Sequence, residues 1–147
     1  MTKDIVAHKM NGATVYYRDD NIIHIHYNSG HLCLDDAKAL IKSVREKSSW
    51  LICPIFISAE PFAEHDQEAQ KYLSGKEVMS YSSAVAILAK SLAQKIAINF
   101  FIKFQKPSKP TKFFTSEREA INWLNKFESI HCSIIVSNIK KIKSKSL

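Results

Sequence analysis

Two short apolar runs, Trp50–Ser58 and Ala84–Ala89, constrain this 147-residue chain more than any other feature. Neither keeps the polar alternation of a strand with one wet face, and neither is long enough for a core helix. Such runs mark interior strands covered on both sides. Pro54 cannot donate to a ladder, so the regular part of the first run is expected to begin there. Each run adjoins a helical signal. Before Trp50, Ala37, Leu40, Ile41 and Val44 form the stripe of a helix from about Leu34 to Lys47, with Asp35 and Asp36 in the first turn, where the helix dipole favours them. After Ala89 comes Ser91-Leu92-Ala93-Gln94, a capping box whose serine and glutamine satisfy the first free amides. Leu92, Ala93, Ile96, Ala97, Phe100, Phe101 and Phe104 continue that helix with a broad apolar face.

The flanking segments complete the pattern. Ala13–Arg18 and Ile22–Tyr27 read as strands joined by a tight turn at Asp19-Asp20-Asn21. Ile23, Ile25 and Tyr27 alternate with His24 and His26, which suits an edge of the sheet with only one face against the core. Pro61–Ser74 is polar with a sparse apolar face (Phe62, Ala69, Tyr72, Leu73) and reads as one or two short helices ending at Gly75. Pro107-Ser108-Lys109-Pro110 breaks the later helix. Lys112–Thr115 follows as a short strand, and a second capping box, Ser116-Glu117-Arg118-Glu119, opens a helix with Ala120, Ile121, Leu124 and Phe127 inward. Ser133–Val136 can pair as an edge strand, and Ile139–Leu147 reads as a mobile basic tail. The order β-β-α-β-α-β-α-β-α predicts an α/β domain with a mixed sheet, parallel after an N-terminal hairpin. Its core is expected over residues 13–128, with 129–147 a variable basic segment.

No stretch approaches the ~18–20 apolar residues of a membrane span, and the N-terminus lacks the apolar region of a secretory signal. Cys33, Cys53 and Cys132 are odd in number and show no CxxC spacing, so a reducing, cytoplasmic setting is expected. The net charge is +7, but unevenly placed. No acidic residue lies between Glu77 and Glu117, where Lys90, Lys95, Lys103, Lys106, Lys109 and Lys112 occur. Lys140, Lys141, Lys143 and Lys145 follow Glu128. The protein is polar in its charge.

The candidate chemistry is sparse. His24 and His26 project from one strand face with His31 beyond the turn, and neighbouring imidazoles can share a metal. No acidic or thiolate ligand stands at a recognisable spacing, so the face reads as solvated and no metal is assigned. Cys33 occupies the place of a helix N-cap, where amides favour a reactive thiolate, yet Asp35 and Asp36 put negative charge in the same turn. Glu60, Glu64, Asp66 and Glu68 read as a solvated helix start rather than a cation site. There is no GxSxG elbow, HExxH helix or Gly-rich phosphate loop, and no catalytic residue or cofactor is assigned. Lys103, Lys106, Lys109 and Lys112 interleave with Phe101, Phe104, Phe113 and Phe114, as on a nucleic-acid surface. A solvated basic flank beside buried rings accounts for the same pattern.

The element order, the Ser-capped helix after Ala84–Ala89 and the stretch Phe104-Gln105-Lys106-Pro107-Ser108-Lys109-Pro110-Thr111-Lys112-Phe113-Phe114-Thr115, followed by Glu119-Ala120-Ile121-Asn122-Trp123-Leu124, resemble uncharacterised bacterial proteins of the SpoIIAA-like, or STAS-like, fold. That is the fold of anti-sigma-factor antagonists. The resemblance implies a non-enzymatic regulatory module that binds a protein partner or itself. Those antagonists carry an Asp-Ser-x-Gly turn with a phosphorylated serine. The matching stretch here, Ser58-Ala59-Glu60-Pro61-Phe62-Ala63-Glu64-His65-Asp66, lacks it, so no switch serine carries over. Two alternatives stand beside this reading. One is an anion-binding protein, for nucleic acid or an acidic lipid surface, using Lys90–Lys112. The other is a binder of an apolar ligand or lipid, which requires a ligand-sized cavity between the Leu92–Phe104 helix and the sheet.

Overall fold

The computed structural model describes residues 6–105 and 107–127, without the side chains of 97, 100, 101, 104 and 105. The expected edge strand at Ser133–Val136 and the basic tail at Ile139–Leu147 lie outside the described residues. The chain begins with three antiparallel strands, β1 (Val6–Met10), β2 (Ala13–Tyr17) and β3 (Ile23–Tyr27). β1 was not expected from the sequence. It pairs with β2 across Asn11-Gly12, where Gly12 takes φ 80, a left-handed value that suits a residue without Cβ. The next turn is held by Asp20, whose carboxylate accepts from the Ile22 amide (3.1 Å) and from the Arg18 guanidinium (2.9–3.1 Å).

A short strand β4 (Gly30–Leu32) leads into α1 (Leu34–Lys47), which buries the expected stripe of Ala37, Leu40, Ile41 and Val44. β5 (Cys53–Ala59) then runs parallel to β3, and Pro54 falls at a shift of register between Cys53 and Ile55, where its missing N–H is tolerated. β6 (Ala63–His65) pairs with β4 in a separate two-stranded sheet. Two short helices follow, α2 (Gln67–Leu73) and α3 (Lys76–Met79), before β7 (Ser82–Leu88), α4 (Leu92–Gln105), β8 (Thr111–Phe114) and α5 over residues 117–127. The main sheet has the order β1-β2-β3-β5-β7-β8 and is parallel from β3 onward. The expected mixed α/β sheet is present, enlarged by β1 and by the β4–β6 pair.

The two faces of the sheet are built differently. On the first, Ala13, Val15, Ile23, Ile25 and Tyr27 pack with Ala37, Leu40 and Val44 of α1 and Ala69 of α2. On the second, Phe56, Ala84, Ala86 and Phe114 pack under Ala120 and Leu124 of α5. Pleat alternation sorts these sets, since successive residues of a strand point to opposite faces. Both capping serines act largely as expected. Ser91 Oγ accepts from the Gln94 amide (3.1 Å), while Gln94 returns to the Lys90 amide (2.7 Å), one residue earlier than a strict capping box. Ser116 Oγ accepts from the Glu119 amide at 3.4 Å.

Three expectations of burial fail. Trp50 lies outside β5, exposed, in a left-handed turn with Ser49 (φ 63 and 56). Phe62 is not on a helix face; it is 87% exposed at φ 65 in the turn before β6. Leu92 and Ile96 point away from the sheet, 73% and 62% exposed. Ala97, Phe100, Phe101 and Phe104 lie outside the described side chains.

Candidate functional site

β5 and β7 are the middle strands of the parallel half of the sheet, where apolar side chains are ordinarily closed over. Yet Ile55, Ile57 and Ile87, on the face toward α1 and α4, are only half-buried. A cavity of about 750 Å³ lies above them. Its floor is the first face of the sheet (Ile25, Ile55, Ile57, Val85, Ile87). One wall comes from α1 and α3 (Ile41, Val44, Met79) and the other from Ala93, Gln94 and Ile98 of α4. It sits between the Leu92–Phe104 segment and the sheet, the place an apolar-ligand site required. Its volume falls within the range of small-molecule pockets, ~300–1,000 Å³.

Polar groups gather at the two ends. Near the start of β7, Arg45 projects from α1 with its guanidinium carbon 3.4 Å from the Tyr81 ring centroid and 4.7 Å from that of Trp50. The Tyr81 hydroxyl donates to Glu77 at 2.9 Å. Near the other end stand Glu60, Phe62, His65 and Lys90. Glu60 accepts from the Ser29 amide (2.9 Å), which holds its carboxyl below the usual carboxylate range. His65 packs edge-on against Tyr27 (centroids 4.4 Å apart), and burial pushes its imidazole pKa down. Burial also pushes the Tyr27 phenol up, so the phenol stays neutral.

The histidine pair lies on the second face, in a setting the sequence reading had wrong. β3 is interior, flanked by β2 and β5, so its second face is not an open edge. His24 packs between Tyr16 (5.1 Å) and Phe56 (4.6 Å). Both rings converge on Ser58, which is 4% exposed: His24 Nε2 lies 2.6 Å and His26 Nδ1 2.7 Å from its Oγ. A hydroxyl has one proton and two lone pairs, so Ser58 donates to at most one of the two imidazoles, and the tautomers of the rings set the direction of each bond. Burial, then the charges of His26, Arg18 and Lys90, lower the His24 pKa to about 4, leaving the ring neutral at pH 7. The far nitrogen of His26 stands 3.7 Å from Glu60. His31 does not join the pair; it bonds Asp66 (2.8 Å) and Glu64 (3.2 Å) beside the small sheet. Among the described residues no group of three or more His, Cys, Asp or Glu side chains is placed to hold a metal.

The remaining sequence candidates are dispersed. Cys33 is the N-cap of α1, half-buried, and its thiol donates to Asp36 (3.1 Å), whose carboxyl is held low by that bond and by the Cys33 amide (3.3 Å). Cys53 is buried. Lys103 is exposed on α4, Lys109 is half-buried before β8, and Lys112 is exposed on β8 with its ammonium 5.3 Å from the Phe114 ring. Lys106 lies outside the described residues. Phe114 is buried and packs against Trp123, so its ring faces protein rather than a base. Sequence reasoning missed Arg45, Ser58 and the cavity floor, whose partners come from other elements.

Comparison with known proteins bears on the fold. The family model described as a domain of unknown function (DUF7793) matches residues 16–128. No curated protein matches the chain. Among solved structures, an uncharacterised protein of the DUF3478 family from Shewanella loihica PV-4, with a SpoIIAA-like fold, is similar at a TM-score of 0.54 and 16% identity, over 82% of this chain and 92% of that one. At that identity the likeness establishes the SpoIIAA-like fold and nothing of activity. No helix among the described residues is long and apolar enough to cross a membrane.

Proposed function

Since the chain belongs to the family described as domain of unknown function DUF7793, we propose that it is a non-catalytic SpoIIAA-like module that binds a small apolar ligand over its central strands. One observation carries this reading: a cavity of about 750 Å³ leaves Ile55, Ile57 and Ile87 partly uncovered in the middle of a parallel sheet. Water on that floor is unfavourable at roughly 25 cal/mol per Å² of apolar surface, so an apolar occupant gains what the fold leaves unburied. The protein-partner reading expected from the sequence rests on fold likeness alone, and the absence of a phosphorylatable Asp-Ser-x-Gly turn removes the usual switch. Among the described residues, the buried Phe114 beside Lys109 and Lys112 likewise gives the nucleic-acid reading no shaped surface.

The test is saturable binding of an environment-sensitive apolar dye to the full chain, with displacement by a long-chain alcohol. Ile57→Trp fills the cavity from its floor and is expected to abolish dye binding while leaving the urea midpoint close to that of the parent. Dye binding that never saturates, or that survives Ile57→Trp in a folded protein, would sink the proposal.

A further inference from the structure

The cavity is apolar along its floor, with Arg45 at one end and Lys90 beside Glu60 at the other. Arg45 lines the cavity beside Ser48 and Ser82. Its guanidinium carbon lies 3.4 Å from the ring centroid of Tyr81 and 4.7 Å from that of Trp50. Cation–π contacts of this kind restrain the group through the ring faces and leave its N–H groups to other partners. Trp50 reaches this position through two consecutive non-glycine residues in the left-handed region, Ser49 and Trp50, closed by a bond from the Trp50 amide to the Arg45 carbonyl (2.8 Å). Left-handed backbone is unfavourable for such residues and is concentrated where the surroundings impose it, functional sites included.

The charge of Arg45 has no carboxylate counterpart among the described residues: none lies within ion-pair distance of it, whereas Arg18 is paired with Asp20 at 2.9 Å. Glu77, the nearby acid, takes the Tyr81 hydroxyl instead. The one carboxylate lining the cavity, Glu60, stands beyond the opposite ends of the strands, held by Ser29. β7 alone spans six residue steps, ~20 Å at ~3.3 Å each, so the two charges do not compete for one group.

We propose that the cavity takes a single-chain amphiphile with a terminal carboxylate, its alkyl chain along Ile55, Ile57 and Ile87 and its head on the Arg45 guanidinium. The inference rests on the apolar-ligand reading. A guanidinium edge offers two parallel N–H groups that match a carboxylate, and it offers a hydroxyl head far less.

The experiment compares dodecanoate with dodecanol by dye displacement and calorimetry on the full chain, for the parent, Arg45→Gln and Arg45→Lys. The parent is expected to bind the acid about tenfold tighter than the alcohol, the scale of one charge-assisted hydrogen-bonded pair. Arg45→Gln should bring the ratio close to one with alcohol affinity unchanged, and Arg45→Lys should fall between. Circular dichroism checks the fold, and the acid-to-alcohol ratio of the parent tests the inference without any variant. Equal affinity for acid and alcohol in the parent, or a ratio untouched by Arg45→Gln, overturns the carboxylate inference while the apolar-ligand reading stands. Binding of neither compound overturns both.

Discussion

Acidification should destabilise this protein in part through one ring. His24 is enclosed by Tyr16 and Phe56 and bonded to Ser58, and its pKa is lowered from 6.5 to about 4, first by burial and then by the neighbouring positive charges. Between those two values the unfolded chain takes up a proton that the folded ring refuses, so stability falls as pH falls. Above 6.5 neither state is protonated and nothing is lost. Integrated from pH 7 to pH 5, the shift corresponds to about 2 kcal/mol. The ring is not wholly enclosed, and solvent screening brings this to about 1 kcal/mol. The perturbation is His24→Phe, which keeps an aromatic ring between Tyr16 and Phe56 and leaves Ser58 its bond to His26. Urea unfolding at pH 7 and pH 5 measures both proteins. The parent should lose about 1 kcal/mol more than the variant over this interval. His65, Glu60 and Asp36 are also shifted downward and push the same way, but they are common to both proteins and cancel in the difference. Equal losses in parent and variant would refute the assignment of that proton to His24.

Two substitutions test the frame that holds the site. Gly12→Ala places a side chain at φ 80 with its Cβ 2.6 Å from a methyl of Leu32, and should lower the urea-derived stability by about 1–2 kcal/mol. Leu124→Ala removes a fully buried side chain of α5 from the second face of the sheet, and should lower stability by about 2–5 kcal/mol with the denaturant slope unchanged.

What was legible in the sequence is what local chemistry decides. α1 runs from Leu34 to Lys47, as read, because its acidic first turn and its Ala37-Leu40-Ile41-Val44 stripe are both written within one segment. Asn11-Gly12 is a strong hairpin dipeptide between Val6–Met10 and Ala13–Tyr17, and β1 was readable from it. Other features depend on partners distant in sequence. The periodicity of β3 gives its two faces but not its neighbours, so His24 and His26 read as wet until β5 is seen beside them. The apolar spacing of α4 puts Leu92 and Ile96 on a stripe, yet Ala93, Gln94 and Ile98 are the residues that line the cavity over the sheet, and Leu92 and Ile96 remain exposed. Arg45 meets Tyr81 across 36 positions of chain, and no spacing rule encodes that contact.

The hydroxyl of Ser58 carries a consequence for how the two faces of the sheet communicate. Glu60 belongs to the cavity end, His26 stands beside it, and Ser58 joins His26 to His24 within the second layer. With only one proton to give, Ser58 cannot donate to both imidazoles at once, so while it donates to one ring the bond to the other is donated by that ring. The row therefore has a direction. Exchanging the roles of donor and acceptor at Ser58 exchanges the tautomers of both rings, from His26 at the cavity end to the ring held between Tyr16 and Phe56, with no backbone displacement required.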